Sequence, residues 1–284
     1  MMLCGVKFRL DYLEIGKLLS NPNLEFKSEF SRQTGEIGQS SICNYNGMTI
    51  HIKSSGFGYL KGSLHKFKNE GKHNYDDFTW DEVFLVVDEL SDTFGIKIRD
   101  LPLINLEWGI NVETKIPPKQ ILSGLVMHHG CRFDKMYVNP GTHYVCSHSQ
   151  FRVKAYDKGV QNCLAKNLLR IEISANRSKF INKLGVYKIG DLKRPEARLK
   201  LQNALLYGGW ANTLLIDPGL IGYNPSNQDE IIRISRWSNP NFWINASKQV
   251  RSYHKRVYDR FINEAGFNVK QAIFEAMMKK LWSI

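Results

Sequence analysis

Long hydrophobic runs are missing from this sequence of 284 residues. Nowhere do about 18 apolar residues follow one another, which is the length that a helix needs to span a bilayer. Near the amino terminus Lys7, Arg9 and Asp11 interrupt the apolar residues, which argues against a signal peptide. We therefore expect no membrane partner and a cytoplasmic protein.

Cys-x-x-Cys pairs and His-x-His pairs are also missing. The five cysteines are far apart and form no Cys-x-x-Cys pair, so we expect reduced thiols rather than a zinc or redox site. Neighbouring residues on a strand point in opposite directions, so His128 and His129 could not easily hold one metal ion. We expect a capping or surface role for them, with a position near a functional site as the alternative.

Acidic residues are outnumbered, 27 against 39 Lys and Arg, which gives a net charge of +12. At 43% hydrophobic residues the chain still has enough apolar material for a core, which excludes a disordered basic tail. This charge favours a polyanionic partner, most often nucleic acid. The alternative is a basic protein whose charge only maintains solubility.

Three segments have the period of two that is typical of strands with one apolar face. In the segment 103–113, Leu106, Trp108 and Ile110 alternate with polar residues or glycine, and the segments 151–158 and 168–174 repeat this pattern. A hairpin is predicted over 37–60 with its turn at Asn46 and Gly47. Further along the chain, helical patterns are predicted over 195–206, 228–237, 246–265 and 269–282.

These patterns predict an α+β fold, with helices packed on one face of an antiparallel sheet and a smaller helical region at the carboxy terminus. We expect a catalytic domain over 1–190 and a basic helical region over 191–284 that grips DNA or serves as an accessory.

The polar faces of the three strands carry side chains that suit phosphoryl chemistry. If the strands are neighbours, two carboxylates and an amide, Glu107, Glu172 and Asn111, could hold Mg²⁺ or Mn²⁺. Beside such a metal Tyr156 would be a potential nucleophile towards phosphorus. The alternative is that these residues are ordinary solvated side chains of an exposed sheet face.

The same three segments resemble motifs of the tyrosine-dependent rolling-circle replication initiators of plasmids and filamentous phages. Leu-Ile-Asn-Leu-Glu-Trp-Gly-Ile-Asn at 103–111 resembles their acidic strand. Phe-Arg-Val-Lys-Ala-Tyr-Asp-Lys at 151–158 resembles their Tyr-Asn/Asp-Lys strand, and Leu-Leu-Arg-Ile-Glu-Ile at 168–173 resembles the Arg-hydrophobic-Glu strand that follows. The resemblance covers roughly residues 37–192, and the order of the three motifs agrees as well.

This resemblance implies a replication initiation protein that nicks one DNA strand at a specific site in a bacterial host cell and later rejoins it. Tyr156 would attack the phosphodiester and stay linked to the new 5′ phosphate, and Lys158 would steady the phosphate. Glu107 and Glu172 would hold the divalent metal, with Asn111 at the position of a second acid. A host helicase is an open partner, and a dimer is an open oligomeric state.

Three departures from the family pattern leave other functions open. Asn105 stands where the family has arginine, Glu107 stands where Asp is commoner, and Asn111 removes a formal charge from the proposed metal site. A DNA-binding protein that kept the fold but lost catalysis is therefore one rival, and a metal-dependent nuclease that uses water is another.

Basic residues on three surfaces predict contacts with DNA. Their nearest alternative is a solvated loop or helix face. The predicted contacts are Arg152, Lys154 and Arg170 on the strands, Lys66 and Lys68 in a loop over 61–75, and Arg251, Lys255 and Arg256 on a basic helix.

Overall fold

The computed structural model describes residues 2–30, 33 and 37–282. The strands of these residues are β1 (Met2–Leu10), β2 (Lys27–Phe30), β3 (Ile37–Tyr45), β4 (Met48–Ile52), β5 (Gly58–Gly62), β6 (Leu103–Glu113), β7 (Leu125–His128), β8 (Cys131–Arg132), β9 (Asp134–Val138), β10 (Gly141–Ser147), β11 (Phe151–Asp157), β12 (Leu168–Ala175) and β13 (Thr213–Leu215).

The helices are α1 (Tyr12–Leu19), α2 (Leu64–Lys68), α3 (Trp80–Phe94), α4 (Pro118–Ser123), α5 (Lys158–Gln161), α6 (Ser178–Lys183), α7 (Pro195–Asn203), α8 (Gln228–Trp237), α9 (Pro240–Asn245), α10 (Lys248–Glu264) and α11 (Val269–Trp282). Among the described residues, no helix is long and apolar enough to cross a lipid bilayer.

One large antiparallel sheet organises the molecule. Its strands lie in the order β2-β3-β4-β5-β1-β6-β12-β11-β10-β9, and a small second sheet has the order β13-β7-β8. The three strands predicted over 103–113, 151–158 and 168–174 are β6, β11 and β12, and they are neighbours with β12 in the middle. The predicted α+β fold with an antiparallel sheet is therefore confirmed.

Local sequence signals account for several element boundaries. Asn46 and Gly47, both at positive φ, form the turn between β3 and β4. A capping box begins α3, because the Thr79 hydroxyl accepts from the Glu82 amide and the Glu82 carboxylate accepts from the Thr79 amide. Gly95, at a φ of 67°, ends this helix.

The apolar face of the central strands packs against helices. The indole of Trp108 in β6 donates to the Leu201 carbonyl of α7 at 2.9 Å and stacks on Phe180 of α6. Ile273 and Met277 of α11 are buried in the same hydrophobic cluster as the sheet. This packing leaves the opposite face of β6, β12 and β11 for polar side chains.

A second, smaller hydrophobic cluster joins the small sheet to three of the carboxy-terminal helices. Val126 and Met127 of β7 and Leu214 of β13 pack with Trp237 of α8 and Tyr258 of α10, among others. The predicted helices over 195–206, 228–237, 246–265 and 269–282 correspond to α7, α8, α10 and α11. The boundary near residue 190 stays a prediction, since α11 packs with the main sheet and β7 packs with the carboxy-terminal helices.

One predicted loop is partly helical. The segment over 61–75 contains α2, whose first turn is capped by the Ser63 hydroxyl accepting from the Lys66 amide at 3.2 Å. Leu64 and Phe67 of this short helix are buried in the protein. Because this segment is rich in Lys, Asn and Gly, its sequence predicted a loop rather than a helix.

Candidate active site

The strand register brings the predicted tyrosine and both glutamates to one sheet face. Tyr156 is paired with Arg170, and Lys154 with Glu172, in the ladder between β11 and β12. In the ladder between β12 and β6, Arg170 is paired with Asn111. Because directly paired residues of an antiparallel ladder project to the same side, these side chains meet on the face away from Trp108.

Glu172 is at the centre of this group. Its Oε1 lies 3.0 Å from Lys154 Nζ, while its Oε2 lies 3.1 Å from Arg170 Nε and accepts from the Tyr156 hydroxyl at 3.3 Å. Burial would raise the pKa of Glu172, but Lys154 and Arg170 outweigh it and hold this pKa at about 2. The carboxylate is therefore fully ionised although it is buried.

Lys154 bridges the two glutamates. Its Nζ is 2.9 Å from Glu107 Oε1 as well as 3.0 Å from Glu172 Oε1. Burial would lower the pKa of Lys154, but the two carboxylates raise it above its usual value. The Ser174 hydroxyl also donates to Glu107 Oε1, at 2.6 Å.

Arg170 is completely buried and links three strands. Its Nη1 donates to Asn111 Oδ1 at 2.9 Å, its Nε contacts Glu172, and its Nη2 donates to the Cys4 thiol of β1. Burial raises the pKa of Cys4 to about 12, so this thiol is neutral. Sequence reasoning missed Cys4, because nothing in the sequence indicates that β1 lies beside β6.

Tyr156 is nearly enclosed, with 5% of its surface exposed. Its ring stacks on His143 of β10, with 4.0 Å between centroids, and Lys158 Nζ is 5.7 Å from the ring centroid. Burial, reinforced by the charge of Glu172, raises the pKa of Tyr156 well above its usual value. The hydroxyl is therefore a neutral phenol that donates its hydrogen to Glu172.

The segment before α3 covers the site. Lys158 Nζ donates to Asn74 Oδ1 at 2.6 Å and to Gln161 Oε1 at 2.7 Å, and Asn111 Nδ2 donates to the Tyr75 carbonyl at 2.9 Å. Burial, followed by repulsion from Arg170, lowers the pKa of Lys158 to about 8. Lys158 therefore titrates near pH 8.

No known protein family and no curated protein matches this sequence. Among solved structures, the chain is similar to a rolling-circle replication initiator protein from Geobacillus stearothermophilus, at 11% sequence identity and a TM-score of 0.44. The aligned region covers 81% of this chain and 89% of that one. A similarity of this size carries no argument about function, which has to be argued from the site itself.

In this structure the predicted metal ligands contact positively charged side chains. Glu107 and Glu172 share the ammonium group of Lys154, and the amide oxygen of Asn111 accepts from Arg170. A divalent ion added to these groups would place further positive charge beside a buried guanidinium and a buried ammonium, which is unfavourable. The donor set therefore does not fit a resident Mg²⁺ or Mn²⁺ in this arrangement.

Replacing Lys154 by methionine is expected to create a divalent-metal site. Without the ammonium group, Glu107 and Glu172 would lose the cation that they share, and Glu172 would keep Arg170 as its charged partner. Carboxylates are the ligand type that Mn²⁺ and Mg²⁺ prefer. We expect Mn²⁺ to raise the melting temperature of Lys154→Met and to leave the parent unchanged; ligand at a hundred times its Kd contributes about 2.7 kcal/mol. Thermal unfolding with and without MnCl₂ measures this.

The matched control for this substitution is Lys135→Met, on the exposed strand β9. It should respond to Mn²⁺ as the parent does. Equal stabilisation of the parent and Lys154→Met would mean that Mn²⁺ displaces Lys154 from the two glutamates, against this interpretation.

The other predicted DNA contacts are distributed over separate surfaces. Arg152 is exposed on β11, and Lys66 of α2 lies close enough to Lys158 to lower its pKa. Lys68 is paired with Glu82 at 2.6 Å and with Asp76 at 3.6 Å. The structure thus places Lys66 beside the site and leaves Arg152 open to solvent.

Basic side chains of helix α10 contact residues outside β6, β11 and β12. Arg251 donates to the Trp243 carbonyl at 3.3 Å, and Lys255 is paired with Asp259 at 2.7 Å. Arg256 is exposed. Its role in DNA binding stays a prediction.

The structure also gathers a group of potential soft-metal ligands that sequence reasoning missed. One ligand atom from each of His128, Cys146 and His148 lies within 4.8 Å of the others. His128 ends β7, whereas Cys146 lies in β10 and His148 directly follows that strand, so the complete group is not visible in the sequence. Cys146 and His148 are two residues apart, which is the only local signal.

Proposed function

We propose that this protein is a DNA replication initiator that nicks and rejoins a strand through Tyr156, in the manner of rolling-circle initiators of phages and plasmids. The observation that carries the proposal is the contact of the Tyr156 hydroxyl with the ionised Glu172, surrounded by Lys154, Arg170 and Lys158. A hydroxyl group, a carboxylate that could accept its proton and cations that could bind a phosphate thus lie on one sheet face, which supports the proposal.

In the proposed reaction the phosphate of the DNA strand competes for Lys154 and Arg170. Their loss as partners would raise the pKa of Glu172, because their charges are what hold it near 2. Glu172 would then accept the phenolic proton of Tyr156 as a general base. Lys154 and Arg170 would stabilise the negative charge that develops on the phosphoryl oxygens.

The bonds and protons of this step balance without another reactant. The Tyr156 oxygen forms a bond to phosphorus, the bond between phosphorus and the 3′ oxygen breaks, and the 3′ oxygen takes a proton from Lys158. Attack of that 3′ hydroxyl on the tyrosine ester reverses every transfer and closes the strand. For DNA to reach Tyr156, the covering segment at Asn74 and Tyr75 has to move.

The proposed initiator activity is tested with single-stranded DNA of randomised sequence, labelled at its 3′ end. After incubation with the protein, denaturing electrophoresis should show shortened DNA that carries bound protein. A nuclease that uses water would release shortened DNA free of protein. Absence of any strand cleavage, with or without Mn²⁺, would contradict the proposal.

A second candidate is a DNA-binding protein without cleavage activity. It is favoured by the 5% exposure of Tyr156 and by Lys154 lying between the two glutamates. It predicts a salt-sensitive shift of the same DNA in native gels, since phosphate contacts release counterions, with no change in strand length. The two electrophoresis conditions separate the candidates.

DNA affinity is expected to fall as the pH rises through about 8. The pKa of Lys158 is about 8, so the side chain is charged below this pH and neutral above it. If a DNA phosphate binds the charged form, the affinity is highest below pH 8 and decreases by up to about tenfold per pH unit above it. Fluorescence anisotropy with labelled single-stranded DNA at constant ionic strength measures this.

Lys158→Arg is the matched control for the pH dependence, because arginine keeps its charge throughout this range. Its affinity should stay level over the same pH interval. Parallel decreases in the parent and in Lys158→Arg would assign the effect to another group.

A further inference from the structure

The group formed by His128, Cys146 and His148 lies on the other face of the sheet from Tyr156. In the ladder between β10 and β11, His143 is paired with Tyr156 and Val145 with Lys154. Cys146 is paired with Val153 and therefore projects to the opposite, helix-packed side, where it belongs to the main hydrophobic cluster. The group is thus separate from the candidate active site.

The hydrogen bonds of His128 leave one of its ring nitrogens directed at the group. Its Nε2 lies 2.7 Å from the Gly208 carbonyl, which can only accept, so this nitrogen carries the hydrogen. Nδ1 therefore presents its lone pair to His148 Nε2, 2.8 Å away. A histidine whose second nitrogen donates to a carbonyl has the usual orientation of a metal ligand.

Two of the three ligand distances can be compared with those around a tetrahedral Zn²⁺ ion. Zinc bonds of about 2.3 Å to sulfur and 2.0–2.1 Å to nitrogen place these two ligand atoms about 3.6 Å apart. Cys146 Sγ and His148 Nε2 are 3.6 Å apart. The two histidine nitrogens would need to separate from 2.8 Å by about half an ångström when the ion binds.

The donor atoms favour zinc over magnesium or manganese. Two imidazoles and a thiolate are the ligands of Zn²⁺ sites, whereas Mg²⁺ and Mn²⁺ prefer oxygen. His128 and Cys146 are fully buried, so the group is enclosed on the protein side. His148 is half-buried, so the group is not fully closed to solvent.

We propose that His128, Cys146 and His148 bind a Zn²⁺ ion that ties the small sheet to the large one. His128 ends β7, which pairs with β13 in the small sheet, whereas Cys146 belongs to β10 of the large sheet. The ion would thus connect the small sheet, against which carboxy-terminal helices pack, to the large sheet that carries Tyr156. Its binding does not depend on the proposed nicking activity.

The test is zinc binding by the full-length protein. After incubation with ZnCl₂ and desalting, elemental analysis should find a single zinc ion per chain. Cys146→Ser and His148→Ala should each weaken binding by about tenfold or more, because each removes a ligand. Cys163→Ser, which changes an exposed cysteine, should bind zinc as the parent does.

Cobalt provides a second readout. The parent loaded with Co²⁺ should show absorption from thiolate-to-cobalt charge transfer, and Cys146→Ser should not. His148→Ala changes a half-buried side chain, so it keeps the test valid if Cys146→Ser does not fold. Failure of the parent to retain zinc, equal retention by both variants, or a disulfide between Cys146 and Cys131 would overturn the proposal.

Discussion

Replacing Glu172 by glutamine is expected to lower the free energy of unfolding by about 3 kcal/mol at neutral pH. The substitution leaves Lys154 and Arg170 buried without their carboxylate, and breaking a buried ion pair in this way costs about 3–5 kcal/mol. The pKa gives a similar figure, since a shift from 4.5 to about 2 corresponds to about 3 kcal/mol. Urea unfolding, followed by tryptophan fluorescence, measures it.

The loss of stability caused by Glu172→Gln is expected to depend on pH. The folded-state pKa of Glu172 is depressed, so its stabilising contribution is complete above its unfolded pKa of about 4.5 and is lost as the pH falls towards 2. The stability difference between the parent and Glu172→Gln should therefore shrink over this interval. Glu113→Gln, an exposed change on β6, is the matched control and should alter stability by no more than about 0.5 kcal/mol.

A cost below about 1 kcal/mol for Glu172→Gln, as measured for exposed ion pairs, would contradict this account. So would a cost that stays constant as the pH falls below 4.5, the unperturbed pKa. Either result would mean that Glu172 is solvated and that the polar face is open in solution.

The shared face of β6, β11 and β12 was predictable because strand periodicity is strict. Side chains alternate with a period of two, so Glu107, Lys154, Tyr156 and Glu172 are assigned to the polar face once the apolar residues are assigned to the core. The prediction needed only the three strands to be neighbours. Their order along the sheet confirms this.

The detailed contacts of the site were not predictable, because they depend on the order of the strands in the sheet. No local sequence signal specifies that order. Cys4 reaches Arg170 only because β1 lies between β5 and β6, and His143 stacks on Tyr156 only because β10 follows β11 in the sheet. Lys154 was interpreted as a DNA contact. Its position between two glutamates is a property of the three-dimensional register.

The carboxy-terminal region shows the same division between local and non-local information. Helical periodicity and the Asn227 and Ser247 caps are local, so α8 and α10 were predictable within a few residues. Strand β13 has only three residues and is held by β7, far away in sequence. A strand of three residues cannot be distinguished from a loop by its sequence pattern alone.

Tyr156→Phe is expected to abolish covalent attachment of the protein to DNA. The substitution removes only the hydroxyl that contacts Glu172, and the ring can still stack on His143. Phenylalanine has no oxygen to bond to phosphorus, so the loss should be complete. DNA affinity should remain within a few-fold of the parent, because the surrounding cations are retained.

The matched control for Tyr156→Phe is Tyr144→Phe. Tyr144 lies on β10 and is paired with Ala155, on the other side of the sheet from Tyr156. This variant removes a hydroxyl of the same kind without touching Glu172, and it should form the adduct as the parent does.

Labelled adduct on a denaturing gel is the most direct measurement of the central claim. Single-stranded DNA carrying a 3′ label is incubated with the parent, Tyr156→Phe and Tyr144→Phe, and the products are digested and mapped by mass spectrometry. The account predicts adduct from the parent and Tyr144→Phe, with the DNA on the peptide that contains Tyr156, and none from Tyr156→Phe. Adduct from Tyr156→Phe, or attachment to another residue in the parent, would contradict it.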